Sequence, residues 1–157
     1  IALDVKPDQV TLVPERRKEV TTESGLDVAG DRKRITDTAQ RFREAGIRVS
    51  LFIDPDLEQI QTSFEVGADA IEIHTGTYAR VHGTKRKKEL ERIRKAAFYA
   101  HSLGLIVHAG HGLDYENTKP IARIPYMAEL NIGFSIISES VFLGLRGAVR
   151  RMKNLTT

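Results

Sequence analysis

The chain contains no cysteine. That excludes a disulfide framework, a thiolate metal site and a cysteine nucleophile, and it fits a reducing cytoplasm. Long apolar runs are missing too: none approaches the ~20 residues a membrane-spanning helix requires. Aromatic residues make up only 6% and tryptophan is absent. Neither sign of charge dominates. The 24 basic and 21 acidic residues leave a formal net charge of +3, which admits anionic ligands without demanding nucleic acid. The opening Ile1-Ala2-Leu3-Asp4-Val5 lacks an initiator methionine and has no basic-then-apolar signal pattern. What is present is globular: 157 residues, 41% hydrophobic and 29% charged, enough for one domain with a sizeable core.

Strand-like and helix-like segments alternate. Short apolar runs, the mark of buried parallel strands, fall at Gln9 to Val13, Arg48 to Asp54, Ala70 to His74, Leu105 to Ala109 and Glu129 to Gly133. Between them lie amphipathic helical patterns. Asp31 to Ala45 is one; Leu57, Ile60 and Phe64 mark the second; Leu90, Ile93, Ala97 and Ala100 the third. Val141, Leu145, Ala148, Met152 and Leu155 form the stripe of the last. Gly46, Gly67 and Gly104 stand where helix C-caps want glycine. Asn117 to Met127, with Pro120 and Pro125, allows only a short irregular helix.

This rhythm predicts an α/β fold with a parallel sheet and outer helices. Two architectures fit: an open doubly wound, flavodoxin-like sheet, or five βα units of an eight-unit TIM barrel. A full barrel takes roughly 250 residues, and five eighths of that is roughly 156. Length and the missing methionine favour the partial barrel.

In both architectures the chemistry sits beyond the C-terminal ends of the strands. There His111 lies between Gly110 and Gly112. An imidazole on so unshielded a turn suits general acid or base work, and it equally suits a solvated turn. Glu72 interrupts an apolar run, and alternation puts it on the same side of its strand as His74. A carboxylate there is either used chemically or tied into an interior ion pair. Ile132-Gly133-Phe134-Ser135 leads into a helix whose first N–H groups suit phosphate, or the segment is a bare turn. The basic run from Lys85 to Lys95 has no aromatic residue interleaved among its charges, so it reads as a solvated helix face rather than an RNA-binding surface. The histidines show no zinc spacing, and no metal is expected.

Five phrases then occur in order: Val13-Pro14-Glu15-Arg16-Arg17 with Glu19-Val20-Thr21-Thr22-Glu23-Ser24-Gly25-Leu26-Asp27-Val28; Ser50-Leu51-Phe52-Ile53-Asp54; Glu72-Ile73-His74-Thr75-Gly76; Ala109-Gly110-His111-Gly112-Leu113; and Glu129-Leu130-Asn131-Ile132-Gly133. Together they resemble the pyridoxine 5'-phosphate synthase family over nearly the whole chain. The resemblance implies a TIM barrel that assembles as a homo-octamer in the bacterial cytoplasm. It implies condensation of 3-amino-2-oxopropyl phosphate with 1-deoxy-D-xylulose 5-phosphate to pyridoxine 5'-phosphate, phosphate and water, with no cofactor, metal, nucleic acid or membrane partner. By the same resemblance His111 is the proton donor of the later steps and Glu72 stabilises developing charge. Gly112 touches substrate through its backbone, Thr21 contacts the amino-ketone phosphate, and Gly133 with Phe134 holds a phosphate. The family has histidine where this chain has Phe134. The family's first three strands, with a catalytic histidine, a phosphate-binding arginine and a glutamate base, have no counterpart here. The expectation is therefore the C-terminal five units of the barrel as one domain over 1–157, inactive when isolated and prone to associate through open sheet edges. A non-catalytic phosphate-ligand-binding domain is the alternative.

Overall fold

A computed structural model describes residues 1–14 and 24–156. The strands are β1 (Gln9–Leu12), β2 (Arg48–Ile53), β3 (Ala70–His74), β4 (Ile106–Gly110) and β5 (Met127–Asn131). The helices are α1 (Ala2–Val5), α2 (Arg32–Glu44), α3 (Leu57–Glu65), α4 (Gly76–Arg80), α5 (Gly83–Ser102), α6 (Thr118–Ala122) and α7 (Phe134–Thr156). All strand pairings are parallel, and the order across the sheet is β1-β2-β3-β4-β5.

That order decides between the two architectures. A doubly wound sheet reverses its strand order at a switch point; this sheet never does. Successive right-handed crossovers in one direction put every helix on the same face. The side chains agree. On one face Val49, Leu51, Ile53, Ile71, Ile73, Val107 and Ala109 are buried. They share a core with Ile35 and Ala39 of α2, Ile60 of α3, and Ile93, Ala96, Ala97 and Ala100 of α5. Each large aliphatic there contributes roughly 1.5–3 kcal/mol by leaving water. The alternate residues make the other face: Ser50 and Phe52 on β2, Glu72 and His74 on β3, and His108 on β4. The face opposite the helices is the one a barrel encloses, and here it carries polar side chains near the strand ends. The fold is a partial TIM-type barrel, α/β with parallel strands.

The sequence expectations hold for all five strands and the main helices. Gly46, Gly67 and Gly104 carry φ of 76°, 80° and 87°, the left-handed caps expected. Two features differ. β5 begins two residues earlier than expected, at Met127, which frees Ile132 and Gly133 as a turn. The stripe of the last helix is not continuous. Gly144 (φ 67°, ψ 154°) breaks α7, in a region essentially reserved for glycine. The break resets the helical phase. Ala148 and Met152, beyond the break, are buried, whereas Val141, before it, is 80% exposed. No helix among the described residues is long and apolar enough to cross a membrane.

Candidate active site

A cleft of about 920 Å³ opens at the C-terminal end of the sheet. Glu72 reaches it from β3 and Phe52 from β2; His111 and Gly112 enter from the loop after β4; Gly133 and Phe134 enter from the turn into α7. Five of the six site residues read from the sequence thus line one space. The sixth, Thr21, lies outside the described residues.

Glu72 is 8% exposed. Burial pushes its carboxyl above the usual range; the Glu129 charge adds to this, while a hydrogen bond from Asn131 and the neighbouring His74 oppose it. A carboxyl so shifted is suited to exchanging protons nearer neutrality. Its position depends on Gly110. A Cβ at Gly110 would collide with Glu72 Oε1 and lie 2.9 Å from the Asn131 carbonyl oxygen.

The raised value has a consequence for stability. The folded state favours the protonated carboxyl, so this contribution is fully present below the ordinary carboxylate range. It is lost as pH rises through the raised value. Glu72→Gln stays neutral and is expected to raise Tm at pH 7, with little change at pH 4. Thermal melts at the two pH values check this, and an unaltered Tm at pH 7 would contradict it.

The loop carrying His111 is held under strain. His111 and Gly112 have φ of 80° and 73°. Such a conformation costs a histidine on the order of 1–3 kcal/mol and persists only where surroundings enforce it. They do. Thr75 Oγ1 lies 2.7 and 2.6 Å from the Gly110 and His111 carbonyl oxygens, and the Thr75 N–H donates to the Gly110 carbonyl at 2.8 Å. Asn117 donates from Nδ2 to the Gly112 carbonyl (3.1 Å), and its Oδ1 accepts from the Asp114 N–H (2.9 Å). Tyr78 ties down the Asn117 carbonyl at 2.8 Å. Ser135, in the first turn of α7, donates to the Leu113 carbonyl at 2.8 Å, linking this loop to the Gly133 turn. Thr75 directly follows β3 and Asn117 precedes α6, but nothing in the sequence reveals which loop they fasten.

Beneath the cleft His74 is buried, with Nδ1 donating to Asp54 Oδ1 at 2.8 Å. This hydrogen bond, with help from the Gly25 N–H, holds the Asp54 carboxyl below its ordinary value against partial burial. The His74 ring stands edge-on to His111, centroids 4.9 Å apart.

Gly133 is solvent-accessible, and nothing would meet a Cβ there. Phe134 opens α7 and is 91% exposed, so a phosphate at this turn would meet backbone N–H groups but no side-chain donor. On α5, Lys85, Lys87, Lys88, Arg92, Arg94 and Lys95 are exposed, as a solvated face predicts. Arg86 is the exception. Its Nε donates to the Val81 carbonyl at 2.7 Å and its guanidinium lies 5.7 Å from the Tyr78 ring centre, closing the end of α4.

A singly wound parallel sheet with acid–base residues gathered at the strand ends defines a barrel-type α/β protein whose candidate site lies at the C-terminal ends of the strands. Over residues 1–157 the sequence matches the family described as pyridoxal phosphate biosynthesis protein PdxJ. The chain belongs to that family. It is 58% identical over 155 residues to a pyridoxine 5'-phosphate synthase of Sulfurihydrogenibium sp. (strain YO3AOP1), covering 99% of this chain and 64% of that protein. It is 56% identical over 154 residues to the enzyme of that name from Synechococcus sp. (strain JA-2-3B'a(2-13)), covering 98% and 64%. The chain therefore spans about 64% of the length of these curated relatives. The fold recurs in the crystal structure of the Amycolatopsis orientalis BexX/CysO complex, with TM-score 0.64 and 17% identity over 99% of this chain and 56% of that one.

Proposed function

We propose that this chain forms the last five βα units of a (β/α)8 pyridoxine 5'-phosphate synthase. The intact protein would condense 3-amino-2-oxopropyl phosphate with 1-deoxy-D-xylulose 5-phosphate, giving pyridoxine 5'-phosphate, phosphate and water. The observation that carries this reading is the convergence of Glu72, His111, Gly112, Gly133 and Phe134 on one cleft in a member of this family.

The geometry suits the roles. Imine formation, phosphate loss and ring closure require repeated proton transfers, which a positioned imidazole accelerates by roughly 10²–10⁴. His111 supplies protons in the later steps, from a loop too well fastened to drift. Glu72, buried beside the reacting atoms, stabilises positive charge developing at nitrogen when it is ionised. The Gly112 backbone contacts substrate, and Thr21 binds the amino-ketone phosphate. The Gly133 and Phe134 N–H groups hold a phosphate at the start of α7. Phenylalanine there offers no side-chain hydrogen bond, so this phosphate binds more weakly than with histidine.

Among the described residues β1 pairs only with β2, and β5 only with β4. Both edges await partners, and Phe134, Ile137, Val141 and Phe142 leave an apolar face of α7 exposed. These features support a barrel completed by further strands and a homo-oligomer. They also support an isolated chain with little turnover. The test is an assay of pyridoxine 5'-phosphate formation from both substrates. The intact protein is expected to turn over, with the 157-residue chain at least about 100-fold slower. Phosphate-ester binding without turnover by the intact protein would favour a non-catalytic binding domain instead.

A further inference from the structure

Asp54 and His74 lie outside the roles assigned above, yet their geometry is specific. Asp54 directly follows β2 and His74 ends β3, twenty residues apart in sequence and 2.8 Å apart through Oδ1 and Nδ1. With its proton on Nδ1, facing the carboxylate, His74 carries its lone pair on Nε2. That atom is buried and has no hydrogen-bond partner among the described residues. Gly76 adjoins it: a Cβ at this position would collide with His74 Nε2 and lie 3.0 Å from His111 Cδ2. The missing side chain at Gly76 leaves the Nε2 edge of His74 beside the His111 ring. Phe52 flanks both imidazoles, at 5.2 Å from His74 and 6.5 Å from His111. Among the described residues, charged groups that reach this cluster include Glu72, on the same strand as His74, Glu129, which acts on Glu72, and Arg92 of α5, whose field reaches Asp54.

We infer that Asp54 and His74 form a positioning pair for His111. Asp54 fixes the tautomer and tilt of His74, and the electron-rich Nε2 edge of His74 then orients the His111 ring and favours its protonated form. No proton passes between the two imidazoles. A carboxylate–imidazole pair bears net negative charge, and at this separation in a partly dry site that charge stabilises a neighbouring imidazolium. The catalytic consequence rests on the proposed function; the electrostatic one does not.

The experiment is nitrogen-15 NMR titration of the histidine rings in this chain, in Asp54→Asn and in Asp54→Glu. Asp54→Asn should move the His111 midpoint to lower pH, and Asp54→Glu should restore it. A His111 midpoint unchanged in folded Asp54→Asn would overturn the inference. Should that variant fail to fold, His74→Gln must shift His111 in the same direction, and an unchanged midpoint there is equally fatal. In the intact protein, Asp54→Asn should lower kcat roughly tenfold and leave KM within about twofold. The limb of the pH–rate profile that reports His111 should follow the NMR shift. A shifted midpoint in an intact protein without turnover would refute the synthase reading alone. Normal turnover with an unshifted midpoint would refute the pair alone.

Discussion

Replacing His111 by alanine in the intact protein is expected to slow pyridoxine 5'-phosphate formation by about 10²–10⁴-fold, the range a single positioned acid or base supplies. Two physical facts concentrate the effect at this residue. His111 occupies a left-handed backbone conformation (φ 80°) that Thr75 hydrogen bonding holds in place. Such strain is maintained where an orientation is used. The loss should fall on kcat, because the Gly133 turn and the cleft walls proposed to bind phosphate are untouched. Folding should suffer little, since both residues carry a Cβ and alanine lacks only the modest preference of histidine for positive φ. Steady-state kinetics and a melting curve separate the two effects. Turnover within about threefold of wild type would remove His111 from the chemistry.

Gly110→Ala is expected to act on a different residue. The new methyl group would occupy the space of Glu72 Oε1 and press on Asn131, whose carbonyl oxygen would lie 2.9 Å from it. The carboxylate end can swing aside, but the β5 backbone cannot do so cheaply. Overpacking of this kind costs about 1–3 kcal/mol. Activity should fall at least tenfold because Glu72 is displaced from the reacting atoms. Combining Gly110→Ala with Glu72→Gln then tests the mechanism. If the methyl group acts by displacing the carboxylate, the two losses must be less than additive. Fully additive losses would show that Gly110 acts elsewhere.

The contrast between these positions shows what a linear sequence carries. Strands β2, β3 and β4 are legible because residues packed between sheet and helices must be apolar and suited to extended backbone, as Val49, Leu51, Ile71, Ile73 and Val107 are. Glu72 is legible because a carboxylate inside such a run needs a reason to be there. His111 is legible because glycines flank it. The Asp54–His74 contact is not, since it joins two strands through register alone. Neither is the dependence of Glu72 on Gly110, which is a matter of space between neighbouring strands. The break in α7 is hidden for another reason. The apolar spacing from Val141 to Leu155 satisfies a continuous helix, and only the backbone angles of Gly144 reveal the change of phase. Strand order likewise comes from pairing, and it is the order that excludes a doubly wound sheet.

A crystal structure of the intact protein with bound pyridoxine 5'-phosphate tests the central claim most directly: that the polar face of the sheet is the interior of a synthase barrel. The phosphate is expected on the N–H groups of Gly133 and Phe134, with the pyridine ring between Glu72 and His111. Product bound outside this cleft, or within it but touching neither side chain, would contradict the account.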